Sequence, residues 1–146
     1  MFGMVMLTGG EKYNTKQLII KVNVIYMNIQ SLVESDSELT MDSLNDLYDA
    51  TLMIFMTMAT LTVNIINSTP KIKEIFDLLQ EVHYYNEVND NNKDNLIKVA
   101  KMIPQLQDEL IGLVENDTSN RDAVLRQIMD ELGIVDPNAK KKRSLW

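Results

Sequence analysis

Residues 41–67 read MDSLNDLYDATLMIFMTMATLTVNIIN, and the reading of this stretch decides the fold. No charged side chain occurs from Ala50 to Ile66. A run this apolar is either a buried helix or a membrane span, and its few polar residues separate the two. Asp46, Asp49, Thr57, Thr60, Asn64 and Asn67 follow one another at three- and four-residue steps, with Met53 filling the one gap. Such steps track the helical turn, so these groups form a single polar stripe. Leu52, Ile54, Phe55, Met56, Met58, Leu61, Val63 and Ile65 cover the remaining circumference. The uncharged length is also at the short limit for a span, where about 20 residues are usual. The stretch therefore reads as one helix over 41–67, capped by Thr40, with Asp42 in its first turn, at the centre of a helical bundle.

On its N-terminal side, Ser35-Asp36-Ser37-Glu38 is a polar break. Before it, Leu18, Val22, Ile25, Ile29 and Leu32 recur on one helical face. The β-branched Ile19, Ile20, Val22, Val24 and Ile25 would also suit a strand, but the sustained period and the length favour a helix. Asn14, with Gln17 three residues on, reads as its cap. Gly9-Gly10 resists helix continuation and reads as a hinge, which leaves residues 1–13 as an arm.

On the C-terminal side, Ser68-Thr69-Pro70 restarts a helix: a hydroxyl cap, then proline where its missing N–H does no harm. Ile72, Ile75, Phe76, Leu79 and Val82 carry that helix to about Tyr85. Residues 86–92 form an Asn/Asp-rich loop, and Asn91 or Asn92 caps the next segment. There Leu96, Val99, Ile103, Leu106, Leu110, Leu113 and Val114 keep phase across Pro104, which predicts a kink or short break with both halves on one core. Residues 116–120 are the last break, with Thr118 or Ser119 as cap and Asp122 nearby. Leu125, Ile128, Met129 and Leu132 then make a short amphipathic helix that Gly133, Ile134 and Pro137 stop. The expected fold is all-α: a single-domain bundle of about five helices over residues 14–135, an N-terminal arm over 1–13 and a basic C-terminal tail over 136–146.

With 146 residues there is room for one ordinary domain and its core. The net charge of −7 is uneven, because Lys140, Lys141, Lys142 and Arg143 leave −11 on the first 139 residues. An acidic body repels phosphates, so nucleic acid is a partner only through the basic tail. The absence of cysteine excludes disulfides, cysteine-held iron–sulfur clusters and thiolate zinc sites. The apolar start, residues 1–7, lacks the basic flank and length of a signal peptide. Asn67-Ser68-Thr69 and Asn116-Asp117-Thr118 match the glycosylation tripeptide but fall where helix caps are expected. A cytoplasmic or virion setting without membrane insertion is expected. Ten methionines, 14 asparagines and abundant isoleucine and lysine are the usage of AT-rich coding, common in phages and large viruses.

Chemistry-bearing patterns are sparse. His83, the one histidine, lies beside Tyr84 and Tyr85 with Glu81 and Glu87 nearby. A general base needs an orienting partner and a substrate within reach, and none is evident in sequence, so His83 reads as a helix-end surface residue. The run from Glu87 to Asp94 lacks the central glycine and terminal glutamate of a calcium loop. Gly9-Gly10-Glu11-Lys12 lacks the spacing of a phosphate loop. No catalytic residue, cofactor or metal is expected. Met53, Met56 and Met58 read as core packing.

The two ends carry the functional expectation. Phe2, Met4 and Met6 are apolar groups outside any expected helix. Lys140, Lys141, Lys142 and Arg143 precede Leu145 and Trp146, so cations that steer are followed by a hydrophobic anchor. These nine residues are the candidate interaction site. They suggest a non-enzymatic structural or assembly subunit, a phage or viral connector or capsid-associated component, that oligomerises with itself or with other protein subunits. The alternatives are a small regulator that binds a partner's amphipathic helix, and a membrane-associated protein using residues 50–66.

Overall fold

The computed structural model describes residues 7–35, 37–115 and 120–133, and among these every regular element is a helix. The first, α1 (Gly9–Val33), begins five residues before Asn14, so the expected hinge at Gly9-Gly10 is its first turn. The reason is a reciprocal cap. The Glu11 amide donates to Thr8 Oγ1 at 3.1 Å, and the Thr8 amide donates to Glu11 Oε1 at 3.0 Å. With two orphan amides satisfied, glycine's entropic penalty does not prevent nucleation there.

The stretch that decided the fold is helical, but it is not one helix. Helix α2 (Met41–Met58) starts at the Thr40 cap as expected, and α3 (Val63–Ile66) is a separate turn capped by Thr62. Between them Thr60 and Leu61 donate to the carbonyls three residues back, at 3.1 and 2.9 Å. The Thr57 hydroxyl donates to the Met53 carbonyl at 2.9 Å and that of Thr60 to Thr57 at 2.6 Å. Threonine hydroxyls that compete for helix carbonyls weaken the ladder, and here Thr57 and Thr60 do so just before Thr62 caps the next turn. The stripe of Asp46, Asp49, Thr60, Asn64 and Asn67 does face solvent. No helix is long and apolar enough to cross a membrane, among the described residues.

Helix α4 (Pro70–Val82) has proline at its first turn, and Thr69 Oγ1 accepts from the Ile72 amide at 3.1 Å. It stops at Val82, three residues short of the expected Tyr85, with His83 as its C-cap. Pro104 breaks the next rod into α5 (Lys93–Lys101) and α6 (Ile103–Val114), as the apolar phase predicts. Leu96 and Val99 before the break, and Ile103, Leu106 and Leu110 after it, are all buried in the same core. Helix α7 (Arg121–Leu132) is capped by Asn120, whose Oδ1 accepts from the Ala123 amide at 3.1 Å, in place of Thr118 or Ser119. Gly133 ends it in the left-handed region at φ 72°, as its sequence context predicts.

Five expected rods thus become seven described helices, two of the rods being broken. The central position also moves. Helix α1 packs against α2, α5, α6 and α7, whereas α2 leaves Met53 and Met56 in solvent. An apolar circumference creates a demand for burial, but the neighbours of α2 meet only one side of it. At the heart of the core are Leu18, Ile19 and Val22 of α1 with Ile54, Met58, Ile72, Leu79 and Leu106. Gln107 is buried against α1, donating from Nε2 to the Ile19 carbonyl at 3.4 Å and to Asn23 Oδ1 at 3.3 Å. Lys16 and Glu131 form an ion pair that fixes the end of α7 beside the start of α1.

Candidate functional site

Three features of the surface and its margin are candidates, and each begins with a local rule of folding. The first is the niche around His83. Val82 closes the last turn of α4, which turns the next side chain inward against α2. The His83 ring meets Tyr48 edge-on, with centroids 4.7 Å apart, and stacks on Phe55 at 5.8 Å. Its Nε2 lies 2.9 Å from Thr51 Oγ1. Thr51 donates its single hydroxyl proton to the Leu47 carbonyl at 2.9 Å, which leaves the imidazole Nε2–H as donor to the threonine oxygen. Nδ1 is then a bare acceptor, buried without a partner. Desolvation disfavours the charged ring and lowers its pKa from 6.5 to about 4. His83 is therefore not the surface residue expected. A hydroxyl 2.9 Å from an imidazole has the shape of a nucleophile and base, yet Thr51 is fully buried and no substrate atom can reach it. The pair is packing.

The loop after this niche is built by asparagines. Asn89 Oδ1 accepts from the amides of Asn91 and Asn92, at 2.8 and 3.2 Å. Asn92 is buried, and its side chain makes no cap bond to α5. Its Nδ2 instead donates to the Val82 and Glu87 carbonyls at 3.0 and 2.9 Å, while Oδ1 accepts from the Asn89 amide at 2.8 Å. Beside it an open groove of about 640 Å³ is walled by Tyr84 and Tyr85, with Asp77 and Glu81 on its edge. The acidic run from Glu87 to Asp94 thus folds around the Asn92 side chain. Among the described residues, no group of three or more histidine, aspartate or glutamate side chains is placed to hold a metal ion.

The second feature is a pocket of about 540 Å³ at the corner where α1 turns into α2. Its walls are Leu32, Val33, Leu39, Leu47 and Ile97, and its polar edge is Ser35, Ser37, Glu38 and Lys101. Among the described residues of the break, Leu39 lines the cavity, while Ser35, Ser37 and Glu38 stay exposed at its edge. The third is a set of exposed apolar side chains. Tyr13, Val24 and Met27 line the outer side of α1, at 51, 50 and 66 % exposure. On α2, Met53 and Met56 are 53 and 61 % exposed, and Val63 of α3 is 73 % exposed. Only Met58 of the three methionines expected in the core is there. Met53 lies on the polar stripe and Met56 one turn beyond it, both turned away from α1 and α4.

The nine interaction residues expected from sequence, Phe2, Met4, Met6, Lys140, Lys141, Lys142, Arg143, Leu145 and Trp146, lie outside the described residues. What sequence reasoning missed is the half-burial of His83, the full burial of Asn92 and the corner pocket. The Asn89-to-Asn92 spacing was a usable signal for a side-chain-organised turn. No protein-family model matches this chain, and no curated protein and no solved structure shows significant similarity to it.

Proposed function

We propose that this chain is a non-enzymatic assembly subunit: a rigid helical body that associates with further copies of itself or with other protein subunits. The observation that carries the reading is the recurrence of large exposed apolar side chains on the outside of α1 and α2. Single exposed apolar residues are ordinary. Here Tyr13 and Val24 stand three helical turns apart on one side of α1, and Met27 follows one turn on. Methionines at such positions make a surface that adapts to its partner. A virion setting belongs to the proposal as well, with the AT-rich residue usage as its support.

Light scattering during size exclusion tests it. The wild-type chain should run as a multimer, and Met53→Glu with Met56→Glu, or Val24→Glu with Met27→Glu, should shift it toward monomer without loss of helicity. A wild-type chain that stays monomeric alone and when mixed with the products of its neighbouring genes would end the reading. The second reading, a small regulator that receives a partner's amphipathic helix, has the corner pocket in its favour. A monomeric chain that binds such a helix, and loses it on Leu39→Arg, would replace the first reading with the second.

A further inference from the structure

Among the described residues, the large apolar side chains left exposed are Tyr13, Val24, Met27, Met41, Met53, Met56, Val63 and Tyr84, and all but Tyr84 belong to α1, α2 and α3. Those of α1 and α2 form two faces of opposite charge. On the outer side of α1, Tyr13, Gln17, Lys21, Val24 and Met27 recur at steps of four, four, three and three, which keeps them on one side of the helix. Lys12, Lys16 and Lys21 are the charged side chains between residues 12 and 33, and no carboxylate accompanies them. Glu131 engages Lys16, whereas Lys12 and Lys21 have no ion pair among the described residues. The exposed side of α2 has the other sign. Asp42, Asp46, Asp49, Met53 and Met56 follow at steps of four, three, four and three, and the helix has no lysine or arginine. None of the three aspartates is ion-paired among the described residues.

The two faces also agree in length and in order. From Tyr13 to Met27 is about 21 Å along α1, and from Met41 to Met56 about 22 Å along α2, at about 1.5 Å per residue. Laid side by side in the same chain direction, Tyr13 meets Met41, Lys21 meets Asp49, and Val24 and Met27 meet Met53 and Met56. In the reverse direction Lys21 still reaches Asp49, but Val24 and Met27 then cover Asp46 and Asp42. That would desolvate two carboxylates without a counter-charge. Like faces do not suit each other either, because α2 on α2 sets aspartates against aspartates and α1 on α1 sets lysines against lysines.

We propose that a second copy of this chain covers these faces by unlike pairing: α1 of one copy lies along α2 of another, in the same chain direction, with Lys21 against Asp49 and the methionines interleaved. This rests on the assembly reading above and specifies the contact through which copies meet. Methionine on both sides lets the two surfaces repack against each other, while the unpaired charges choose partner face and register.

Mixing two face-blocked full-length chains tests the pairing. Val24→Glu with Met27→Glu blocks the α1 face, and Met53→Glu with Met56→Glu blocks the α2 face. Each variant alone should run as a monomer with wild-type circular dichroism. Mixed in equal amounts they should form a 1:1 pair of twice the monomer mass, because each keeps the face that the other needs. Because the chain has no cysteine, cross-linking gives a second measurement with every apolar side chain in place. Asn28→Cys chains mixed with Thr57→Cys chains should oxidise to a mixed covalent dimer, and Asn28→Cys with Asp42→Cys should not. With a multimeric wild type, self-association of either blocked variant, no pairing on mixing, or the opposite cross-linking pattern would each overturn the proposal and leave the assembly reading standing. A wild type that is monomeric by itself also overturns the proposal, and assembly then rests on other subunits alone.

Discussion

Replacing Asn92 by aspartate changes one NH₂ group to oxygen and no shape, yet it should destabilise this protein more than deleting the side chain. Asn92 is 1 % exposed and uses every polar atom it has. Nδ2 supplies one proton to the Val82 carbonyl and one to the Glu87 carbonyl, and Oδ1 receives the Asn89 amide. Each such bond contributes about 1 kcal/mol net, so Asn92→Ala should cost about 3 kcal/mol. Asn92→Asp keeps the bond from Asn89 but points a carboxylate oxygen at two carbonyl oxygens about 3 Å away. It adds a buried charge without a counter-ion, for a total of about 4 kcal/mol or more at neutral pH. The sign with pH follows. The buried acid has a raised pKa when folded, so its deficit relative to wild type at the same pH should shrink as pH falls and the protonated carboxyl donates to one carbonyl. Urea unfolding at several pH values measures this, with an unchanged denaturant slope as the check that two states are compared. Thermal midpoints should drop by about 10 °C for alanine and further for aspartate. An Asn92→Asp chain within about 0.5 kcal/mol of wild type at neutral pH would refute the reasoning.

The folded-state pKa of His83 is lowered to about 4, so between pH 6.5 and about 4 the unfolded chain takes up a proton that the folded one resists. Stability should be flat above this window and fall by about 1–2 kcal/mol through it, allowing for the solvent that reaches part of the ring; His83→Phe should flatten that limb of the unfolding profile. Two glycine substitutions should have opposite signs in chemical denaturation. Gly133→Ala, at φ 72°, should destabilise by about 1 kcal/mol, and Gly112→Ala, inside α6 with open space at its Cβ position, should stabilise by about 0.5–1 kcal/mol. Glu11 accepts the Thr62 hydroxyl at 2.5 Å and the Thr8 amide, which lower its pKa in that order. Glu11→Ala should let the first turn of α1 fray and speed amide exchange over residues 9–13; unchanged exchange there would show that the cap is dispensable. The same fraying should set in for wild type as pH falls through the lowered carboxylate pKa.

The boundaries that were legible in sequence are those set by one residue's backbone chemistry. Thr40, Thr69-Pro70 and Gly133 act through φ, a missing N–H or a single cap bond, and each is found where it was expected. The break at Pro104 belongs with them. Those that were misread depend on partners further off. Gly9-Gly10 looked like a breaker until Thr8 and Glu11 closed around it, with Glu11 held in turn by Thr62 across 51 residues. The interruption of residues 41–67 combines two threonines whose hydroxyls take helix carbonyls, Thr57 and Thr60, with a third, Thr62, that caps the new turn. The candidate site was less legible than the fold. His83 drew notice for its isolation, but the stacking of Phe55 and Tyr48 that buries it comes from another helix.

By itself, then, the order of residues settled that the described chain is helical and which side of most helices is buried, since period and capping act over a few residues. Which helix occupies the middle, where the corner pocket opens, which asparagine loses its water and how far the histidine does were decided in three dimensions. Burial depends on how many neighbours meet a side chain, and a hydrophobic pattern states how much apolar surface must be covered without stating what covers it. Met56 shows this most plainly: apolar and off the polar stripe, it is left outside because no helix packs on its side of α2.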